Sequence, residues 1–114
     1  MKFITHNDED ININGTCRQG YFNTHYAELV TLFGKPHEGD GYKVDWEWSI
    51  SFEDGTVATI YNWKNGPNYG NLDAGPGTVK EWNIGGHGSE AYTNIHKVIW
   101  DYRQKEYFSD SLTA

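Results

Sequence analysis

The clearest pattern in the chain is a strict alternation of apolar and polar residues over residues 44–52. Such a period of two residues is typical of a β-strand with one buried face. The apolar positions are Val44, Trp46, Trp48, Ile50 and Phe52. The Asp54-Gly55 pair that follows is a hairpin signal, because glycine accepts the positive φ that a tight turn requires.

We expect residues 54–55 to form a two-residue turn, which pairs Phe52 with Val57. This register places Trp46 opposite Trp63, so that one face of the hairpin collects the large aromatic side chains. A three-residue turn would shift the register and break this segregation. The opposite, solvated face is then predicted to carry Asp45, Glu47, Ser49, Ser51, Ala58, Ile60 and Asn62.

Two segments show the spacing of amphipathic helices. The first covers residues 21–36, with Asn23 or Thr24 as its N-cap and with Gly34 and Pro36 as its stop. Its apolar positions are Phe22, Tyr26, Leu29, Val30 and Phe33. The second covers residues 89–108 with Ser89 as its cap, and its apolar stripe consists of Ala91, Ile95, Val98, Ile99 and Tyr102.

The remaining chain supplies short strands and loops. Residues 2–5 and 79–84 are predicted to be strands, and residues 6–20 a loop. The Gly- and Pro-rich segment 64–78 is longer than most loops in compact domains, which indicates either a binding role or simple mobility. The tail over residues 109–114 is expected to fray.

These elements predict an α+β fold in a single domain over residues 1–114. A small antiparallel sheet of three to four strands is expected to carry both helices on its aromatic face. A sheet this small has open edges, and pairing of an edge with a second copy of the chain would give a homodimer.

Composition limits the function more than it defines it. The chain has 114 residues and a net charge of −7, with 16% aromatic residues. It therefore lacks the basic footprint of a protein that binds nucleic acid directly, and it lacks a polybasic patch for a membrane surface. An acidic surface is instead suited to a partner protein whose own surface is basic and binds nucleic acid.

The sequence also indicates a reducing, cytoplasmic setting. The single cysteine, Cys17, excludes a disulfide within the chain. The first ten residues lack an apolar segment typical of a signal peptide, and no run of about 18 apolar residues predicts a membrane span.

No arrangement of residues predicts a catalytic site, a cofactor or a metal. Asp10, Asn12, Asn14 and Gly15 match the opening of a calcium loop, but Tyr21 occupies the position where a glutamate ligand is needed. An enzyme that uses His87 or paired carboxylates has no support beyond the residue types themselves.

The segment from strand to helix at residues 84–90 is the strongest candidate for a small-ligand site. Glycines there allow a ligand to approach the backbone, and free N–H groups at the start of a helix attract anions. The candidate residues are Gly85, Gly86, His87, Gly88 and Ser89, with Tyr69 from the long loop able to stack on a base. The simpler interpretation is that a tight turn requires glycine at these positions.

Four carboxylates on the predicted hairpin are candidates for binding a basic partner. They are Asp45, Glu47, Glu53 and Asp54. On a solvated face all four are ionised, and exposed charge of this kind is also common on proteins that are merely soluble.

Three motifs resemble a group of small proteins encoded by tailed bacteriophages. They are the LFG-x-P end of the first helix, the W-x-x-x-F-x-D-G-T-V-A-T-I-Y-N-W-K hairpin and the W-x-I-G-G-H turn. The resemblance spans residues 20 to about 100 and transfers no catalytic residue. It implies a setting in the cytoplasm of an infected bacterial host, where small phage proteins often inhibit host defences.

The resemblance and the acidic surface together lead to two hypotheses. The first is a non-enzymatic phage accessory protein that binds and inhibits a host defence component, with a CRISPR-type effector as one candidate. The second is a sponge for a small ligand or nucleotide signal, which would use the glycine-rich turn over residues 85–89.

Overall fold

The structure is a computed structural model that describes residues 2–6, 11–38, 44–63 and 79–113. Along the chain the elements are β1 Phe3–Thr5, β2 Cys17–Asn23, α1 Tyr26–Phe33, β3 His37–Glu38, β4 Trp46–Phe52, β5 Val57–Tyr61, β6 Glu81–Gly86 and α2 Glu90–Thr113. The predicted α+β class is confirmed. The sheet has six strands over the described ranges, where three to four were expected.

The sheet is antiparallel throughout its described pairings, in the order β1-β4-β5-β6-β2. The two-residue strand β3 pairs with the start of β4, whereas β1 pairs with the end of β4. The strands β1 and β2, which follow one another in the sequence, therefore lie at opposite ends of this order. The predicted strand at residues 2–5 is confirmed.

The predicted register of the β4–β5 hairpin is wrong by one residue. Trp48 pairs with Ile60 and Ile50 pairs with Ala58, because residues 53–55 form a three-residue turn. Gly55, with φ of 89°, supplies the left-handed conformation of this turn. Ala58, Ile60 and Asn62, which were expected on the solvated face, are buried at 0%, 1% and 0% exposure.

Residues 17–23 are the second correction to the sequence-based prediction. The predicted loop 6–20 and the predicted helix from residue 21 meet here, but the chain forms the strand β2. The helix α1 begins only at Tyr26, with His25 as an N-cap that makes no capping hydrogen bond through its side chain. Gly34 ends α1 as predicted, with φ of 83° and its N–H donated to the Val30 carbonyl.

Both helices pack on the same face of the sheet, which we call the helix face. Tyr26 of α1 contacts the rings of Trp46, Trp48 and Trp82, and Phe33 contacts Phe3. The apolar stripe predicted for α2 is buried on this face at Ala91, Ile95, Val98 and Ile99. The aromatic side of β4 is thus the core, as the alternation predicts.

The tryptophans at the centre of the core are fixed by specific contacts. Trp48 and Trp82 are both fully buried, and their ring centroids are 5.4 Å apart in an edge-to-face arrangement. The Trp48 indole N–H donates to the Gly34 carbonyl at 2.7 Å, which ties β4 to the end of α1. The Trp82 indole nitrogen has no hydrogen-bond partner among the described residues.

The opposite side of the sheet, which we call the outer face, is more buried than the sequence suggests. The register places Ser49, Thr59 and Gly85 in one row across the sheet, and Tyr61 and Asn83 in the next. Ser49, Thr59 and Asn83 are only 5%, 3% and 7% exposed. This face is therefore not the simple solvated surface that was expected.

Several predictions concern parts of the chain outside the described residues. These are the loop 64–78 with Tyr69 and, in the calcium-loop comparison, Asp10. The helix α2 includes residues 109–113, where fraying was expected. In the described part of the chain, no helix combines the length and the apolar character needed to cross a membrane.

Candidate functional site

The structure brings two of the predicted site segments to the same end of the molecule. The turn of the β4–β5 hairpin, with Glu53 and Asp54, lies beside the start of α2, where Glu90 is located. All three residues are exposed, and we call this set the acidic end. A groove of about 290 Å³ runs between the two segments and is lined by Asp54, Gly55, Thr56, Val57, His87, Gly88 and Glu90.

Asp54 is held in place by hydrogen bonds to both of its carboxylate oxygens. The Thr56 N–H donates to Oδ1 at 2.9 Å, and the Asn94 side-chain amide donates to Oδ2 at 3.0 Å. The bond from Asn94, followed by those from Thr56, lowers the pKa of Asp54 below its ordinary value. Asp54 is therefore ionised at neutral pH, and it also joins the hairpin turn to α2.

The glycines at the end of β6 have a packing explanation. A Cβ on Gly86 would overlap the Ala91 side chain, which lies on the first turn of α2. A Cβ on Gly85 would overlap the Thr59 hydroxyl on the neighbouring strand. Glycine at these two positions thus allows α2 and β5 to approach β6 closely, and both residues are buried.

The remaining residues of the glycine-rich turn lie beside acidic side chains. A Cβ on Gly88 would lie 2.5 Å from Oε2 of Glu90, so a carboxylate already lies beside the turn. His87 is exposed, and its ring lies against Gly15. Because Asp54 and Glu90 line the same groove, a ligand phosphate would meet negative charge there. These contacts favour the packing explanation for residues 85–89.

The other two predicted partner-binding carboxylates lie at the far end of β4. This strand has seven residues, so roughly 20 Å separates the two groups. Asp45 is only 6% exposed and accepts a hydrogen bond from the Asn62 amide at 2.8 Å. Glu47 is half-buried and pairs with His37 and Tyr61 in the sheet.

Asn62 organises this far end from a fully buried position. Its Oδ1 accepts the backbone N–H groups of Asp45 at 2.7 Å and Trp46 at 3.0 Å. A side chain that satisfies three polar groups in the interior is a structural element of the fold. The Asp45–Asn62 pair therefore anchors the start of β4.

Two histidine rings contact each other where β1 and β3 meet, with their planes inclined by 31°. The ring centroids of His6 and His37 are 3.5 Å apart. Nδ1 of the buried His6 accepts the Ser49 N–H at 3.0 Å, so Nε2 carries the proton that is donated to the Lys35 carbonyl at 2.9 Å. Burial lowers the pKa of His6, the Lys35 bond opposes this, and the nearby His37 lowers it further.

The described residues offer little for metal or nucleophilic chemistry. No three or more His, Cys, Asp or Glu side chains in the described ranges are placed to hold a metal ion together. Cys17 is exposed at the start of β2, where the Gln19 amide lies 3.3 Å from its sulfur.

Comparisons with protein families, curated proteins and solved structures find no match for this chain. The site must therefore be interpreted from its own geometry.

The sequence-based prediction missed two residues that belong to the acidic end or support it. Glu90 completes the acidic end, and Asn94, which is 6% exposed, positions Asp54 from α2. The signal for Asn94 was its place beside Ile95 on the buried side of the helix, where an amide needs a polar partner. Nothing in the sequence indicated which partner, because Asp54 and Asn94 are 40 residues apart.

Proposed function

We propose that this protein is a phage-encoded accessory protein that binds and inhibits a host defence component. The proposed contact surface is the acidic end, Glu53, Asp54 and Glu90. It faces a basic, nucleic-acid-binding surface of the host protein, with a CRISPR-type effector as the leading candidate. The setting comes from the resemblance of the three motifs to small phage proteins.

One observation carries the location of this surface: two exposed carboxylates, Asp54 and Glu90, line the same groove although they are far apart in the sequence, and the exposed Glu53 is the chain neighbour of Asp54. The pKa of Asp54 is lowered, so its charge is retained well below neutral pH. In a chain with a net charge of −7, this end adds a local concentration of charge on a fixed scaffold. Such an arrangement speeds the encounter with a basic groove and competes with nucleic acid for it.

The proposal separates the predicted partner-binding residues by role. Glu53 and Asp54 belong to the contact surface, and Glu90 joins them. Asp45 is assigned to the fold through its hydrogen bond with Asn62. A substitution at Asp45 should therefore reduce stability, whereas one at Glu53 should change binding alone.

The experiment uses immobilised protein to capture its partner from bacterial host lysate, followed by a nuclease assay with the purified partner. We compare the wild type with Glu53→Lys/Glu90→Lys. The matched control is Asp101→Lys/Glu106→Lys, which makes the same change in charge at two exposed positions of α2. Asp54 is left intact because it supports the hairpin turn.

We expect the wild type and the control to capture a nucleic-acid-binding defence protein and to inhibit its cleavage of target DNA. The acidic-end variant should associate at least about tenfold more slowly, and added salt should weaken wild-type binding. Capture without a defence protein, or equal binding by the acidic-end variant, would contradict the proposal.

A further inference from the structure

The strand β2 ends the sheet with a short row of outward-facing backbone groups. The Thr24 N–H donates to the Lys80 carbonyl at 2.8 Å, and alternate pairs in an antiparallel ladder exchange hydrogen bonds. The register pairs Phe22 with Trp82, two positions along from Thr24 and Lys80. Phe22 and Trp82 therefore also form a hydrogen-bonded pair. Tyr21 and Asn23 must then direct their backbone N–H and C=O groups away from β6.

We propose that two copies of this chain form a dimer by antiparallel pairing of their β2 edges, with the two-fold axis at Phe22. This register aligns Tyr21 of one copy with Asn23 of the other, twice by symmetry. Each aligned pair exchanges two backbone hydrogen bonds, and the two Phe22 side chains meet on the helix face. The six-stranded sheets thereby join into one continuous sheet.

The irregularity in β2 explains why the pairing is centred on Phe22. The register with β6 shifts between Arg18 and Gly20, which leaves Gln19 as an extra residue. The Gln19 amide donates to the Gly86 carbonyl at 3.0 Å, within the same chain. A bulge ends regular pairing, so the usable edge is restricted to residues 20–24, whose midpoint is Phe22.

Charge favours a second copy as the occupant of this edge. Residues 11–27 contain no Asp or Glu, although the whole chain has 16 of them. Arg18 is the charged residue in this stretch, and its guanidinium lies 5.8 Å from the centre of the Tyr21 ring. Both carboxylate oxygens of the neighbouring Glu28 already accept hydrogen bonds from Arg103. Two acidic chains can therefore meet here without opposing carboxylates.

The surroundings of the edge supply apolar contacts for the dimer. Tyr21 is 50% exposed and Trp100 is 52% exposed, and these are two of the three large apolar side chains that are exposed among the described residues. A groove of about 420 Å³ beside the edge is lined by Gln19, Gly20, Tyr21, Phe22, Asn23, Tyr92 and His96. The ring of His96, which lines this groove, stacks on the ring of Trp100 one turn further along α2.

The first test measures the association state by sedimentation equilibrium from about 10 µM to about 1 mM protein. We expect a monomer–dimer equilibrium that tightens as salt is added, because each copy carries a charge of −7. A monomer over the whole range would overturn the proposal. An edge that instead accepts an acidic peptide would leave the protein monomeric in this experiment.

The second test uses Tyr21→Pro, with Tyr21→Thr as the matched control. Proline at position 21 removes an outward N–H and leaves the hydrogen bonds to β6 intact, whereas threonine keeps the N–H and suits a strand. We expect the proline variant to raise the dimer dissociation constant by on the order of 100-fold, while the threonine variant still dimerises. Circular dichroism checks that both variants remain folded.

Amide hydrogen exchange on the wild type needs no substitution. The amides of Tyr21 and Asn23 should exchange rapidly in dilute protein and become protected as the concentration rises, whereas the Phe22 amide should be protected throughout. A dimer in which Tyr21 and Asn23 still exchange rapidly, or one that Tyr21→Pro leaves unchanged, would overturn this interface. Neither result depends on whether a host defence protein is bound.

Discussion

The side chain of His6 illustrates how a single residue makes this fold sensitive to pH. Both of its ring nitrogens are used: Nδ1 accepts from Ser49 and Nε2 donates to Lys35. Protonation of Nδ1 would place two donors against each other and would add a charge beside His37. The lowered pKa of His6 reflects this preference for the neutral ring, with burial as the main cause.

We predict that the free energy of unfolding falls as the pH drops below about 6.5, the ordinary pKa of histidine. In this range the unfolded chain takes up a proton at His6 before the folded protein does, so acid favours unfolding until the lowered folded pKa is passed. His6→Phe should flatten this slope and cost about 1–3 kcal/mol, because the Ser49 N–H loses its acceptor. Urea unfolding at several pH values measures both effects.

The exposed His87 provides the control for this prediction. His87→Gln should retain the dependence of stability on pH between 5 and about 7. An unchanged slope in the His6 variant would show that another group controls the acid sensitivity.

Asn62 gives a second prediction at the level of single residues. Asn62→Ala should destabilise the protein by about 2 kcal/mol or more, because two backbone N–H groups lose their buried acceptor. The matched comparison is Asn23→Ala on the exposed part of β2, which should change stability by less than about 0.5 kcal/mol. Denaturant unfolding measures both, and equal effects would contradict the anchoring role of Asn62.

Among the elements, the junction between β6 and α2 has the most demanding packing. Gly86→Ala should destabilise the protein by about 1–3 kcal/mol, because the added methyl group overlaps the Ala91 side chain. Combining it with Ala91→Gly should recover part of this loss, although glycine in a helix costs about 1 kcal/mol by itself.

A double-mutant cycle on the free energy of unfolding tests this contact. Strictly additive effects would show that the two positions do not interact. Recovery of stability without any added ligand would support the packing explanation for the glycine-rich turn over the nucleotide-binding one.

The hairpin shows why the local pattern predicted the strand but missed its register. In β4 the alternation identifies the buried face without ambiguity, because the aromatic residues all lie on one side of the strand. In β5, however, both faces carry apolar residues: Val57 and Tyr61 on one, Ala58 and Ile60 on the other. The Asp54-Gly55 signal also fits a three-residue turn with glycine in the left-handed region. The larger ring of Tyr61 led the prediction to place Tyr61 in the core. In the structure the smaller Ile60 is buried there, opposite Trp48.

Prediction from the sequence was less successful where contacts between distant segments decide the structure. The strand β2 lies at the edge of the sheet and is largely exposed, so its residues lack the alternation that marks a half-buried strand. Within the candidate site, Glu53 and Asp54 were identified from the sequence. The proximity of Asp54 to Glu90, and the hydrogen bond between the buried Asp45 and Asn62, depend on contacts between distant segments that no local pattern encodes.

At the scale of the whole molecule, four of the five tryptophans divide into two groups, and the fifth, Trp46, is partly buried. Trp48 and Trp82 are 0% exposed, whereas Trp63 and Trp100 are 45% and 52% exposed. We predict that iodide in dilute protein quenches one fraction of the fluorescence and leaves another fraction inaccessible. Trp63→Phe/Trp100→Phe should remove most of the accessible fraction and shift the emission to shorter wavelength. An accessible Trp48 in the folded protein would contradict the arrangement of the core.

The strand order β1-β4-β5-β6-β2 also has a consequence for how the protein forms on the ribosome. The strands β1 and β2 are synthesised early, but their neighbours β4 and β6 emerge only later. The local hairpin of β4 and β5 can form first, and the amino-terminal strands must close over long loops to reach it, which is a slow kind of step. We therefore predict that the nascent chain adds β1 and β2, the strands it made first, last to the described sheet.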